Sequence, residues 1–317
     1  MSTEKRLDEI YEKSEIIHVN KQSRIIFFSD CHRGNNSWSD NFARNQNLFF
    51  AAMQYYYLEG YTYIEIGDGD ELWENKKFPV IREAHDHVFW LLSKFYERNR
   101  LYMIYGNHDI MKKSASFNQK YLYFFHDNRL KANIPLFPGI KPYEGLILDF
   151  DNFDTKMLAV HGHQGQIFND RLWWVNKFLV RNFWRRLELF GFKDPTGPGV
   201  NYEGREKNET NIIKWAEKNN IAVITGHSHR PFFPEKGKTL YFNDGSCVHP
   251  RSVTGIEIKD GTMALIKWSV KNRLDNSLFI GRDVLVGPQT FETLFEMGHL
   301  STDTEQGKAE QGHVSNY

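Results

Sequence analysis

Five short blocks of metal-ligating residue types occur in this chain, each directly after an apolar run. In chain order they are Asp30-Cys31-His32, Gly67-Asp68, Gly106-Asn107-His108-Asp109, His161 and Gly226-His227-Ser228-His229. They offer imidazole nitrogens, carboxylate oxygens and one amide oxygen. This mixture suits ions such as Mn, Fe, Zn or Co better than Ca or a closed structural zinc site. The residue types therefore indicate metal chemistry at a site assembled from separate parts of the chain.

The apolar runs before these blocks are predicted to be buried strands, and the amphipathic segments between them to be helices. The predicted strands cover residues 24–29, 61–66, 101–105, 145–150, 156–160, 221–225, 239–243, 252–258 and 262–269. The predicted helices cover residues 4–16, 41–58 and 80–98. Such alternation is typical of an α/β sheet. Because sites in these sheets lie beyond the carboxyl ends of the strands, the five blocks are expected to meet in one crevice.

The composition excludes several classes of protein. Among 317 residues, 40 Lys and Arg balance 40 Asp and Glu, so binding of nucleic acid as the main task is not expected. The two cysteines, Cys31 and Cys247, cannot form a disulfide framework, and the N-terminus has no apolar segment of the secretory type. No apolar run is long enough for a transmembrane helix. We therefore expect a globular, cytoplasmic protein.

In this order, the five blocks resemble the calcineurin-like metallophosphoesterase superfamily, and the resemblance extends over roughly residues 24–268. It implies an α/β protein with a four-layer α/β-β/α sandwich and a helical insertion. The implied domains are an N-terminal helix and lead-in (1–22), a metallophosphoesterase domain (23–300) containing a helical cap insertion (164–220), and a disordered polar tail (301–317).

The resemblance also implies a dinuclear metal site with seven ligands. The first ion would be held by Asp30, His32 and His229, and the second by Asn107, His161 and His227. Asp68 would bridge the two ions, since a carboxylate has two oxygens. Manganese is the predicted metal, and iron, zinc and cobalt suit the same ligand types.

The implied activity is hydrolysis of a phosphoester, in which a metal-bound water attacks phosphorus in line. His108 would face the substrate as an acid or charge stabiliser, oriented by Asp109. Arg33 and Arg230 each follow a ligand block, and we predict that they bind the substrate phosphate; the alternative is an arginine paired with a neighbouring acid. The predicted substrate is a phosphorylated small molecule or a lipid-linked phosphate.

The stretch 172–190 within the insertion is dense in aromatic and basic residues and carries an apolar helical stripe. Three interpretations stay open: a packed helical subdomain, a substrate cap, or a basic amphipathic surface for peripheral contact with a membrane. Three features are similar to those of the UDP-2,3-diacylglucosamine pyrophosphate hydrolases: the position of the insertion, Arg230, and the stretch Glu71-Leu72-Trp73. A pyrophosphate hydrolase of that type, with a lipid-binding cap, is therefore an alternative function.

A non-catalytic binding module on a phosphoesterase fold is a second alternative, and such a module need not retain two metal ions. A nuclease would need a basic groove, for which residues 177–186 are the candidate. Among the remaining polar residues, Asp70 and Glu71 are predicted to orient metal ligands. His85 and His87 lie two apart in a predicted helix, so we expect them to point in different directions and not to form a ligand pair.

Overall fold

The computed structural model describes residues 2–166, 169–170, 202–235 and 237–295. The helices in these ranges are α1 Thr3–Lys13, α2 Gln46–Leu58, α3 Phe78–Ala84, α4 Asp86–Glu97, α5 Ala115–Tyr121 and α6 Tyr202–Asn219. The strands are β1 Glu15–Val19, β2 Ile25–Phe28, β3 Thr62–Ile66, β4 Leu101–Ile104, β5 Phe124–Asp127, β6 Ala132–Pro135, β7 Gly145–Phe150, β8 Lys156–Val160, β9 Ala222–Thr225, β10 Tyr241–Asn243, β11 Ser252–Lys259, β12 Thr262–Asn272 and β13 Leu278–Thr290. No helix in this part of the chain is both long and apolar enough to cross a bilayer.

Two large sheets form the centre of the fold. One has six strands in the order β13-β12-β11-β2-β3-β4, and the other has five in the order β1-β7-β8-β9-β10. The strands β2, β3 and β4 are parallel to one another, as are β8, β9 and β10. The carboxyl ends of each parallel set therefore lie at one edge of its sheet.

The apolar side chains separate into three layers of core. One layer lies between the two sheets and includes Phe27 and Ile224. A second lies between the six-stranded sheet and α2 with α4, and a third lies between the five-stranded sheet and α1 with α6. Helices, sheet, sheet and helices thus form the four-layer sandwich, and the predicted fold class is confirmed.

The strand β2 is buried on both faces, which explains why its own sequence is a continuous apolar run. Ile25 and Phe27 face the core between the sheets, whereas Ile26 and Phe28 face the helices. All four side chains are buried. A strand covered on both faces needs no polar alternation.

The fold differs from the sequence-based expectations at several elements. The lead-in contains β1, which pairs in parallel with β7, and its exposed edge position left a weak pattern. The hairpin β5–β6 and the long strand β13 were not predicted either. The predicted helix 80–98 is two helices that meet at His85, whose buried Nε2 lies 2.8 Å from Asp40 Oδ2.

Only part of the predicted insertion lies within the described residues. Its first residues, 164–166 and 169–170, and the helix α6 are described. The aromatic and basic stretch 172–190 and the predicted disordered tail 301–317 lie outside the described residues.

Candidate metal centre

The five predicted blocks meet at the carboxyl ends of strands from both sheets. The loops after β2, β3 and β4 carry Asp30 and His32, Asp68 and Asn107, and those after β8 and β9 carry His161, His227 and His229. Backbone hydrogen bonds join these loops: His32 N donates to Asp68 O at 2.8 Å, and Gly226 N donates to His161 O at 3.1 Å. The structure therefore brings together residues that are up to about two hundred positions apart in the sequence.

The backbone of this site is unusual because several ligand candidates have positive φ angles. They are Asp30 (51°), His32 (47°), Asp68 (50°), His227 (66°) and His229 (59°). For residues other than glycine this left-handed conformation costs roughly 1–2 kcal/mol each. Such strain persists only where the surrounding structure enforces it, and it is concentrated at functional sites.

A first group consists of Asp30, His32 and His229. Asp30 Oδ1 lies 3.1 Å from His229 Nε2 and 3.6 Å from His32 Nε2. The other oxygen, Oδ2, accepts the backbone N–H of His227 at 2.7 Å and is thereby fixed. Burial alone would raise the pKa of Asp30, but His229 and His32 hold that pKa well below its ordinary value. Asp30 thus presents one charged oxygen to two imidazoles.

A second group is formed around Asp68, His161 and His227. Asp68 Oδ2 lies 3.1 Å from His161 Nε2 and 3.8 Å from His32 Nε2, so it faces a histidine of each group. Burial lowers the pKa of His161, yet the Asp68 carboxylate outweighs it and raises this pKa to about 9. The position of Asp68 is suitable for a bridge between two ions, and this role stays a prediction.

One oxygen of Asp68, and not both, faces the two groups. Asp68 Oδ1 accepts the backbone N–H of His108 at 2.8 Å. A Cβ added to Gly106 would lie 2.1 Å from this oxygen, so glycine is needed where the two loops approach. Oδ2 is therefore the oxygen that lies near both groups, and the bridge that the sequence led us to expect stays a prediction.

Two imidazoles of the cluster are oriented by oxygen acceptors outside it. His161 Nδ1 lies 2.8 Å from the Ile66 carbonyl, and His32 Nδ1 lies 3.0 Å from Glu71 Oε2. A neutral imidazole that donates through Nδ1 has its lone pair on Nε2. Acceptors of this kind are usual behind histidines that bind metals.

Whether a metal fits the centre of the cluster can be judged from the atoms that are directed at it. In the described part of the chain, four of them are buried and make no hydrogen bond: Asp30 Oδ1, His32 Nε2, Asn107 Oδ1 and His161 Nε2. Buried polar atoms without partners are rare and costly. Carboxylate, amide and imidazole atoms so placed are the ligands that divalent transition metals accept. The residues therefore fit divalent cations.

His108 lies beside the cluster and is less buried than the ligand candidates, with 19% of its side chain exposed. Its Nδ1 lies 2.7 Å from Glu71 Oε2, and its ring stacks on Trp73 at 4.1 Å between centroids. Burial raises the pKa of Glu71, but His108 and His32 lower that pKa to about 2. The prediction that Asp109 orients His108 is therefore wrong, because Glu71 does so.

Asp109 points away from His108 and into the protein. Its Oδ1 accepts Gly106 N at 2.7 Å, and its Oδ2 accepts Gly69 N at 3.1 Å and Lys112 Nζ at 2.7 Å. The carboxylate thus joins the loop that carries Asp68 to the loop that carries Asn107. Its role is to hold the loops together.

The prediction that Arg33 binds the substrate phosphate is also wrong. Its guanidinium is fully buried, with Nε 2.8 Å from Asp70 Oδ1 and Nη1 2.8 Å from Glu65 Oε2. Lys112, equally buried, lies 2.7 Å from Asp70 Oδ2 and completes the neutralisation. We refer to Arg33, Glu65, Asp70, Asp109 and Lys112 as the buried charge network. Asp70 therefore belongs to this network and does not touch a metal-ligand candidate through its side chain.

Three further residues lie near the cluster: Arg230, which was named from the sequence as a phosphate contact, His163 and Cys31. Arg230, next to His229, is partly buried, and its contact with phosphate stays a prediction. His163 is buried 5.4 Å from the His161 ring, and burial together with His161 lowers its pKa to about 3. Cys31 is fully buried in the core beneath the loop.

Sequence reasoning missed two residues behind Asp30. The Ser29 hydroxyl donates to Asp30 Oδ2 at 2.5 Å and lies 2.6 Å from Asp244 Oδ1. Burial raises the pKa of Asp244 well above its ordinary value, and the nearby charge of Asp30 adds to this effect. The only sequence signal was the position of Asp244 directly after the strand β10.

With this geometry established, comparison with known proteins gives the family. Residues 23–231 match the model of the calcineurin-like phosphoesterases, which is more than half of the chain. The protein therefore belongs to the calcineurin-like phosphoesterase family. A search of curated protein sequences found no match.

Two solved structures resemble the chain at 10% sequence identity. Vps29 from Chaetomium thermophilum aligns with a TM-score of 0.37 over 84% of this chain and 96% of its own. The sulfate thiohydrolase SoxB from Thermus thermophilus, in complex with glycerol, aligns with a TM-score of 0.31 over 93% of this chain and 62% of its own.

Proposed function

We propose that the protein is a phosphoester hydrolase that depends on two divalent metal ions. The observation that supports this is the buried cluster, in which four atoms without hydrogen bonds are directed at one another. The first ion is assigned to Asp30, His32 and His229, the second to Asn107, His161 and His227, and Asp68 Oδ2 to the position between them. Manganese is the proposed metal, and iron, zinc or cobalt would suit the same atoms.

Two divalent cations held there would polarise the phosphate ester and make water a stronger nucleophile near neutral pH. The protein contributes position and charge. The loops are held at fixed separations by backbone hydrogen bonds and by Asp109, so their side chains would hold the cations in a preorganised frame. Phosphoryl transfer depends chiefly on such positioning and on charge stabilisation.

His108 is proposed to be the general acid. Glu71 occupies its Nδ1 side and Trp73 supports the face of its ring, so Nε2 is the nitrogen left to meet the substrate. As the bond between phosphorus and the leaving oxygen breaks, Nε2–H would give its proton to that oxygen. General acids of this kind contribute roughly 100- to 10,000-fold to turnover.

The proposed substrate is a phosphorylated small molecule or a lipid-linked phosphate, and Arg230 is proposed to contact its phosphate. The test is a hydrolysis screen of the full chain loaded with Mn²⁺, comparing a phosphomonoester, a phosphodiester and a UDP-linked acyl sugar. Asp68→Ala serves as the blank. Turnover of the acyl sugar alone would identify a pyrophosphate hydrolase with a lipid-binding cap.

Two variants separate the role of His108 from general damage. His108→Asn should lower kcat about 100- to 10,000-fold while both metal ions remain bound. His126→Asn, on the exposed hairpin β5–β6, is the control and should keep full turnover. Unchanged turnover in both Asp68→Ala and His108→Asn would refute the proposal. Two bound ions without turnover of any ester would favour a binding module.

A further inference from the structure

The second metal position differs from the first in how one of its histidines is held. His227 Nε2 lies 3.1 Å from Oε1 of Gln166. His32 and His161 are instead held through Nδ1. Because a neutral imidazole donates through one nitrogen and accepts through the other, His227 held in this way carries its lone pair on Nδ1.

The atom of Gln166 that contacts His227 acts as an acceptor. The side-chain amide of Asn169 also donates to Gln166 Oε1. Because an amide oxygen accepts hydrogen bonds and cannot donate them, a hydrogen bond between Gln166 Oε1 and His227 must take its proton from the imidazole Nε2. An acceptor oxygen at this place favours the His227 tautomer that carries its proton on Nε2.

Gln166 lies in the segment that leads from β8 into the insertion, and two helices anchor this segment. From α6, Asn208 Nδ2 donates to Gly162 O at 2.7 Å. Asp170 N donates to Gln166 O at 2.8 Å, and the Asp170 carboxylate lies 3.3 Å from Arg6 Nε of α1. The backbone on either side of Gln166 is therefore anchored to both helices.

We infer that Gln166 is a positioning residue for the second metal position, holding His227 so that its Nδ1 is offered to the ion. The inference rests on the proposed two-metal function. It means that Gln166, near the start of the insertion, supports the metal centre. Residues behind metal-binding histidines typically change metal affinity by about 10- to 100-fold when they are replaced.

The first experiment needs no metal and no variant. Long-range ¹H–¹⁵N NMR spectra of the metal-free full chain, under alkaline conditions, report the tautomer of each histidine. His227 should carry its proton on Nε2, while His161 carries its proton on Nδ1. In Gln166→Met, which keeps the length of the side chain but has no oxygen, this preference of His227 should be lost. Gln166→Glu should preserve it.

The second experiment is calorimetric titration of the metal-free chain with Mn²⁺. The wild type should bind two ions, and Gln166→Met should bind one of them about 10- to 100-fold more weakly. Gln166→Glu should restore most of the affinity. His126→Asn, whose side chain is exposed on the hairpin β5–β6, is again the control. It should leave both affinities within about twofold, well inside that range.

The outcomes separate the inference from the function on which it rests. Fewer than two ions in the wild type would refute the two-metal function itself. Two ions in the wild type, with the same affinities in Gln166→Met, would overturn the inference and leave the function standing. A wild-type His227 that carries its proton on Nδ1 would overturn the inference as well.

Discussion

Two groups of buried ionisable side chains lie next to each other beneath the same loops, and they are neutralised in different ways. In the buried charge network, Arg33 and Lys112 supply cations within hydrogen-bond distance of three carboxylates. In the metal cluster, Asp30 and Asp68 face imidazoles, and several atoms make no hydrogen bond. The first group takes its positive charge from arginine and lysine side chains, whereas the carboxylates of the second face imidazoles, which are also ligands for divalent cations.

The comparison shows that neighbouring residues in the sequence can belong to opposite groups. His32 faces the cluster, and Arg33 is turned into the network. Likewise, Asp68 belongs to the metal cluster and Asp70 to the buried charge network, although they are only two positions apart in the sequence. The network therefore supports the loops from behind, and the cluster forms their functional face.

Gly69 shows how closely the two groups are packed. A Cβ added there would lie 2.1 Å from Glu65 Oε1 and 2.5 Å from Arg33 Nη2. Only glycine allows the loop after β3 to pass over the network at this distance. The position of Asp68, one residue earlier, thus depends on the network beneath it.

The largest expected effect is on stability and comes from removing a cation of the network. Arg33→Met keeps the apolar stem but leaves Glu65 and Asp70 without the guanidinium, which should cost about 3–5 kcal/mol. Urea unfolding of the metal-free protein measures this free energy. Arg24→Met is the control, since Arg24 is 36% exposed and its ion pair with Glu59 should be worth about 1 kcal/mol or less. A stable Arg33→Met that binds substrate poorly would reinstate the phosphate-binding role.

The next effect is the response to metal, which should distinguish the cluster from the network. Mn²⁺ at a hundredfold excess over its Kd should stabilise the wild type, relative to chelator-treated protein, by about 2.7 kcal/mol for each ion bound. Asp68→Asn should lose most of this response. Asp70→Asn should be less stable yet keep the response, because its carboxylate does not face the cluster. Thermal unfolding with and without chelator measures both, and an equal response in the two variants would contradict the division.

The smallest effect is a dependence of stability on acidity. Arg33 and Lys112 outweigh burial and hold the pKa of Asp70 at about 2, below the value of about 4 expected in the unfolded chain. The unfolded state therefore takes up a proton first as the pH falls. Asp70 should contribute about 2 kcal/mol above roughly pH 4 and lose this contribution towards pH 2. Unfolding of metal-free protein across this range should be less pH-dependent in Asp70→Asn than in the wild type, and identical slopes would refute the assignment.

The fold class and the meeting of the metal-ligand candidates in one cluster could be predicted from the amino-acid sequence. Buried strands read as apolar runs, and a polar residue that follows such a run lies at the carboxyl end of the strand. Five runs with His, Asp or Asn after them therefore predicted an α/β sheet and one convergent cluster, and the resemblance to the metallophosphoesterases implied the four-layer sandwich. The family match over residues 23–231 and the two sheets agree with that prediction.

Only the tertiary structure decided which way each of these polar side chains turns. The sequence assigned Arg33 to substrate and Asp109 to His108, and both assignments were wrong. Ser29, Asp244 and Gln166 were not assigned at all. The physical reason is that the loops contain residues with positive φ, so the alternation of an extended chain no longer predicts direction. The partner of each charge is then set by whichever distant loop packs against it, as Glu65 does with Arg33 and Glu71 with His108.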